Sequence, residues 1–256
     1  MSAKGGYKRT KALLLAGGLG TRLRPITDST PKCLVEIDGR PLLDYWFEEL
    51  GVAGVRDVLI NTHHLAEPVR RFIREKNRQG FHAVETFEEK LLGSAGTIAA
   101  NPGWANDADD VVIIYADNFS DMNLPELLTV HRQHGDPVTM LLFHAPDPSA
   151  CGIAELGGLG RVIAFEEKPA KPKSDLANAG IYVVTGAVWR EIAAMDAFDL
   201  AFHVLPRFLG RIRGHIHGGY HRDIGNLEAL SAAREAAPKL LRRNRARRQT
   251  QNGTRR

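Results

Sequence analysis

Lys11-Ala-Leu-Leu-Leu-Ala-Gly-Gly-Leu-Gly-Thr-Arg-Leu-Arg-Pro25 opens on a continuously apolar run and breaks at Gly17-Gly18. A short apolar run without polar alternation, stopped by glycines, reads as a strand buried on both faces that ends in a loop. Such a loop suits phosphate. Glycine lets backbone N–H groups approach oxyanions closely and tolerates positive φ. Arg22 and, in Pro31-Lys-Cys-Leu34, Lys32 add charge for a polyphosphate, one as a two-pronged donor and the other as a compact point charge. Two familiar phosphate loops do not fit. A Walker A loop needs Gly-Lys-Ser/Thr where this chain has Gly20-Thr21-Arg22, and a dinucleotide fingerprint needs a third glycine where Leu23 stands.

Downstream, the hydrophobic period switches repeatedly between strand and helix. Pro41 to Leu50 is helical, with Leu42, Leu43, Trp46 and Leu50 on one side. Val55 to Ile60 is a second buried strand, Ala66 to Arg78 an amphipathic helix and Phe81 to Phe87 a third strand. A short helix starts near Ser94, and Asp110 to Ala116 is the fourth and strongest strand. This alternation predicts an α/β fold: a Rossmann-like three-layer sandwich around a mixed, mostly parallel sheet. After a helix at Asn123 to His134 the pattern turns β-rich, with segments at Pro137 to His144, Gly152 to Leu156, Arg161 to Phe165 and Ala179 to Val184. Helices follow near Leu200 to Leu209 and Leu227 to Ala236. No linker or repeat divides the chain, so residues 1–238 are expected to form one domain.

Composition narrows the class of protein. Of 256 residues, 43% are hydrophobic and 25% charged, an ordinary globular balance. No apolar run is long enough to span a bilayer, and the basic stretch Met1 to Thr10 is not followed by a signal-peptide core. The two cysteines, Cys33 and Cys151, exclude a disulfide scaffold and a thiolate metal cage, and point to the reducing cytoplasm. The net charge of +4 comes from one end. Lys239 to Arg256 holds eight basic and no acidic residues; without them 26 basic residues face 30 acidic ones. That tail (239–256) reads as a disordered, solubilising segment rather than a nucleic-acid or membrane patch.

The longer string GGxGTRLxPxT…PKxL resembles the sugar-1-phosphate nucleotidyltransferases, closest to the mannose- and heptose-1-phosphate guanylyltransferases, over nearly all of Lys11 to Ala237. The resemblance implies attack of a sugar 1-phosphate on the α-phosphorus of an NTP, with pyrophosphate leaving and Mg2+ assisting. It further implies that Leu15, Ala16, Gly17, Gly18, Gly20 and Thr21 wrap the nucleotide. Arg22 would hold the departing pyrophosphate, Lys32 would stabilise developing charge, and Gly93, Ala95 and Gly96 would lie under the base. Glu88 stands at the spacing of the guanylyl-type members, and a carboxylate can accept both N1–H and N2–H of guanine, which favours GTP over UTP or dTTP.

Asp117, at the carboxyl end of the strongest strand, and Asp223, in Arg222-Asp-Ile-Gly225, match the family's metal-binding pair, a donor set magnesium accepts. Gly152, Glu167, Lys168 and Asn178 match the sugar-phosphate side through Glu166-Glu-Lys-Pro169 and Asn178-Ala-Gly180. Asp117, Arg22 and Lys32 would carry catalysis. Departures from the family pattern are Ala116 before Asp117, Ser94 for threonine and Cys151 for tyrosine; Cys151 reads as a packing residue. His215, His217 and His221 read as ordinary strand histidines, and His63 as loop packing. Alternatives are a thymidylyl- or uridylyltransferase, a choline-type nucleotidyltransferase, or a catalytically silent sensor of nucleotide sugars. No hexapeptide-repeat extension follows, so one activity is expected. Self-assembly stays open.

Overall fold

The computed structural model describes residues 8–253. Residues 1–7 of the basic N-terminal stretch and residues 254–256 of the basic tail lie outside the described residues. In chain order the elements are β1 (Thr10–Leu15), β2 (Glu36–Ile37), β3 (Arg40–Pro41), α1 (Leu42–Val52), β4 (Asp57–Thr62), α2 (Ala66–Arg78), β5 (His82–Phe87) and α3 (Gly93–Ala99). There follow β6 (Asp110–Tyr115), β7 (Asn118–Ser120), α4 (Leu124–His134), β8 (Val138–His144), β9 (Gly152–Leu156) and β10 (Val162–Glu167). The chain continues with β11 (Leu176–Thr185), α5 (Gly186–Ala193), β12 (Ile212–His217), β13 (His221–Asp223) and α6 (Leu227–Gly253).

Nine strands form one mixed sheet. The run β6-β1-β4-β5 is parallel, as the apolar first half of the chain requires. Strand β11 then runs antiparallel to β6, with Ile181 opposite Ile114, and also pairs with β8 and, through Ala177 and Ile153, with β9. Strand β10 pairs antiparallel with β9, and β12 lies parallel to β8. The sheet is covered on both faces. Ala12, Leu14, Val58, Ile60, Val112 and Ile114 point into one core with α1, α2 and α4, while Leu13, Leu59, Val111 and Ile113 point into the other with α3 and α5. The expected mixed, mostly parallel sheet with helices on both sides is therefore observed.

Two expectations change. The helix expected at Leu200 to Leu209 is a π turn, Leu200–Val204, followed by a 3-10 turn, Leu205–Phe208; Pro206 withholds the N–H that a continuous α-helix would need. The segment expected as a disordered tail from Lys239 is instead, through Gly253, the second half of α6. Arg, Leu and Ala there are good helix formers, and the helix is tied down: Arg248 bonds Glu48 and Glu49, and Arg247 donates 3.1 Å to the Asp121 carbonyl oxygen. Helix α5 and the short β7–β13 pair are new. Among the described residues no helix is long and apolar enough to cross a membrane.

Candidate active site

The parallel strands end on one edge of the sheet, and there the glycine loop leaves β1. Its first two amides are committed: the Asn61 side-chain oxygen accepts N–H from Ala16 (2.6 Å) and Gly17 (3.2 Å). Among the described residues, the N–H groups of Gly18, Leu19, Gly20, Thr21 and Arg22 have no acceptor. A run of unspent amides is an anion cradle in waiting. Gly20 turns the loop at φ 64°, and a side-chain carbon there would press on Thr27 and on the Lys32 stem. Thr27 fastens the turn by donating 2.8 Å to the Gly20 carbonyl oxygen. Leu15 sits at the strand end below, its carbonyl oxygen taken by the Ala116 N–H.

Lys32 reaches the centre of the site. Its ammonium donates to Asp117 Oδ2 at 2.6 Å and to Asp223 Oδ1 at 3.0 Å. Burial pulls the ammonium towards losing its proton, but the two carboxylates outweigh burial and leave its pKa raised. Asp117 and Asp223, 106 residues apart in sequence, meet because β7 and β13 pair antiparallel, with Asp223 opposite Asn118 and the Ile224 N–H on the Asp117 carbonyl oxygen. The Asp223 carboxyl is pushed up by burial first and by Asp117 next, against the pull of Lys32 and Arg22. Arg22 and Asp223 both close on Gly225, where an added carbon would lie 2.9 Å from each side chain. So Arg22, Lys32, Asp117 and Asp223 come together at one point. Thr27 and Gly225 belong with them and were missed; both lie in the motif strings, but their roles are visible only as packing.

Glu88 is a correction. The carboxylate is 3% exposed and both oxygens are engaged inside the protein. Oε1 accepts from the Asn61 amide (3.0 Å) and the Thr97 hydroxyl (2.5 Å), and Oε2 from the Leu92 N–H (3.0 Å). It does not present a free pair of acceptors to a guanine edge, and the argument for GTP loses its carrier. Ala95 is a second correction: it is 1% exposed and its N–H goes to the Phe198 carbonyl oxygen, so it packs rather than offering a ligand contact. Gly93, at φ 75°, is required by the same clasp, because a side chain would collide with the Phe198 carbonyl. Ser94 completes it, donating 3.1 Å to Asp199 and accepting from the Leu200 N–H at 2.8 Å. Gly96 packs against Leu92.

On the other side of the site, Gly152 lies opposite Glu167 in the β9–β10 pair, and an added carbon would collide with the Glu167 carboxylate and the Phe165 ring. Burial raises the Glu167 carboxyl, Lys168 opposes the shift and Asp199 adds to it. Lys168 sits at φ 50°, in the left-handed region that a non-glycine residue rarely occupies, with its N–H on the Cys151 carbonyl oxygen at 2.9 Å. Asn178 donates 2.6 Å to the Tyr182 hydroxyl and accepts from the Gly180 N–H, leaving one further donor and one lone pair. The Cys151 thiol is raised by burial, then by Asp147, Glu167 and Asp223, so the carboxylates of both sides act on one point. It is no activated nucleophile. Asp199 is the acidic residue on this side that sequence reasoning missed.

The histidines take structural places. His63 Nδ1 contacts the Glu88 carbonyl oxygen at 2.8 Å, and His217 Nε2 contacts Asp121 at 2.9 Å. Asp121 also accepts from the Tyr220 N–H at 2.6 Å. Among the described residues no group of three or more His, Cys, Asp or Glu side chains could hold a metal ion by itself.

Residues 11–239 match the family model described as Nucleotidyl transferase. A glucose-1-phosphate thymidylyltransferase of Streptomyces antibioticus is 35% identical over 225 residues, covering 85% of this chain and 63% of that protein. The mannose-1-phosphate guanylyltransferase catalytic subunit beta of Danio rerio is 31% identical over 245 residues, covering 91% of this chain and 68% of that one. The chain thus spans about three-fifths of the length of its Streptomyces relatives. A solved structure from Bacillus anthracis, provisionally named a glucose-1-phosphate thymidylyltransferase, superposes with a TM-score of 0.77 at 25% identity, covering 89% of this chain and 95% of that one. With the cradle, the paired carboxylates and the bridging lysine on one sheet edge, the chain belongs to the nucleotidyl transferase family.

Proposed function

We propose that the protein transfers a nucleotidyl group from an NTP to a sugar 1-phosphate, giving an NDP-sugar and pyrophosphate. The observation that carries this reading is the Lys32 ammonium bridging Asp117 and Asp223 beside five loop amides that have no acceptor among the described residues. A sugar-phosphate oxygen, already ionised at neutral pH, forms a bond to the α-phosphorus. The bond from that phosphorus to the bridging oxygen breaks, and the electron pair leaves with pyrophosphate. No general base is needed. The work of the protein is alignment of two anions and stabilisation of charge.

The amides of Gly18 to Arg22 would take phosphate oxygens, Arg22 the departing pyrophosphate, and Lys32 the charge developing at the α-phosphate. Lys168 would hold the sugar phosphate, while Glu167 and Asn178 would bond sugar hydroxyls; partly buried polar groups of this kind reject a partner that leaves them unpaired. Asp117 and Asp223 fit Mg2+: they are two carboxylates meeting at one point, the kind of oxygen donor set that magnesium takes together with phosphate oxygens. When bound there, the ion would supply positive charge to the phosphates. The pair of free cysteines suits the cytoplasm, where we place the reaction.

The test is pyrophosphate release with Mg2+ over a grid of GTP, UTP, dTTP, CTP and ATP against mannose, glucose, heptose and N-acetylhexosamine 1-phosphates. Release that requires both substrates is expected. Nucleotide binding with no release from any pair would favour a silent nucleotide-sugar sensor. GTP, dTTP and UTP enter on equal terms, and the donor that gives the fastest release identifies the base.

A further inference from the structure

We propose that Glu88 and Asn61 form a positioning relay that sets the glycine loop for the triphosphate, a role resting on the nucleotide-binding reading above. Four segments meet at this point: the loop after β1, the end of β4 at Asn61, the chain after β5 at Glu88, and α3 at Thr97. Asn61, Glu88 and Thr97 are 5%, 3% and 0% exposed, so water does not substitute for their bonds. A carboxamide has one accepting end and one donating end, and either can point either way. Here the direction is set by Glu88, an acceptor at both oxygens. The Asn61 NH2 turns to Glu88 Oε1, with the Thr97 oxygen 3.3 Å away, and so the Asn61 oxygen must face Ala16 and Gly17. A flipped amide would set NH2 against two N–H groups. The anchored pair fixes where the loop leaves the sheet and leaves the amides of Gly18 to Arg22 free for phosphate. Gly17 is part of the fit, because an added carbon would lie 2.9 Å from Asn61 Nδ2. Glu88 thus governs the nucleotide from beneath the loop, without touching the base.

Glu88→Gln keeps the volume and breaks the relay, because its NH2 must face either the Leu92 N–H or the Asn61 and Thr97 donors. Four measurements separate this role from base recognition and from simple structural support. With no ligand, hydrogen exchange at Ala16 and Gly17 is expected to accelerate about tenfold in Glu88→Gln, as for the loss of one buried hydrogen bond. The NTP KM is expected to rise about tenfold for GTP, UTP, dTTP and ATP alike, while the KM for the sugar 1-phosphate stays within about twofold. Asn61→Ala should reproduce both effects, and the double variant should lose no more than either single one. A loss confined to GTP would overturn the relay in favour of base reading. Equal rises in both KM values with unchanged loop exchange would overturn it in favour of general destabilisation. If the wild-type protein turned over no substrate pair, the reaction reading would fail, and the ligand-free exchange comparison would still decide the relay.

Discussion

The two ends of the sheet treat buried charge in opposite ways. Where β6 begins, Asp136 is clamped between Arg161 (2.7 Å) and Arg213 (2.6 Å), and Asp110 meets Arg132 at 2.9 Å with His131 beside it. Burial alone would raise these carboxyls, yet the cations outweigh it and hold both below their ordinary value. Where β6 ends, the balance reverses. Asp223 and Glu167 are pushed up by burial and by neighbouring carboxylates, and one ammonium serves both Asp117 and Asp223. One end is neutralised from within and supports the fold. At the other, among the described residues, one ammonium serves two carboxylates and the loop N–H groups have no acceptor, the pattern on which the proposed function rests.

Substitutions at the two ends should therefore fail differently. Lys32→Ala is expected to lower turnover by about a hundredfold to a thousandfold, the scale for removing one preorganised donor from developing charge, while the far-ultraviolet circular dichroism stays native. Near-normal pyrophosphate release would erase the contrast. Asp136→Asn should do the reverse, costing about 3 kcal/mol in urea unfolding at pH 7 with turnover per folded molecule unchanged. Because the folded carboxyl titrates below its ordinary 3.8, its stabilisation is present above that pH and is lost as pH falls through the lower folded value. The gap between variant and wild type should narrow below pH 3.8 and not above it. A constant gap would mean that packing, not charge, holds that end.

Two smaller effects sharpen the picture. Gly152→Ala should displace Glu167 and raise the KM for the sugar 1-phosphate about tenfold, the order of one lost polar contact, leaving the NTP KM in place. A matched rise in both would show that the sugar and nucleotide sides do not act separately. Arg248→Ala should cost about 1 kcal/mol of stability through its bonds to Glu48 and Glu49, with turnover intact. A loss of turnover instead would make the end of α6 part of the site.

How much of this was readable beforehand depended on range. Strand β1, helix α2 and the glycine loop follow from neighbours within about a dozen residues, and they fall where periodicity places them. Strands β7 and β13 are three residues each and carry no period of their own; they exist because they pair with each other across the chain. Helix α5 was overlooked because Gly186 and the brief apolar pattern after it disguise its start, although the Thr185 hydroxyl caps it from the Val188 N–H. The basic tail misled by composition. Its arginines look solvated until α6 brings Arg247 and Arg248 onto α1 and the Asp121 loop.

The residue types of the site, with Arg22, Lys32, Asp117 and Asp223 among them, and the alternation that demands a parallel sheet are properties of the chain as written, because phosphate chemistry and strand burial each impose a local pattern. Which oxygens stay free is not such a property. Glu88 has the right chemistry to read a base, but Asn61 from β4, Thr97 from α3 and Leu92 from the turn before α3 occupy both of its oxygens before any ligand arrives. A carboxylate has a fixed number of lone pairs, and only long-range packing settles which donors reach them first.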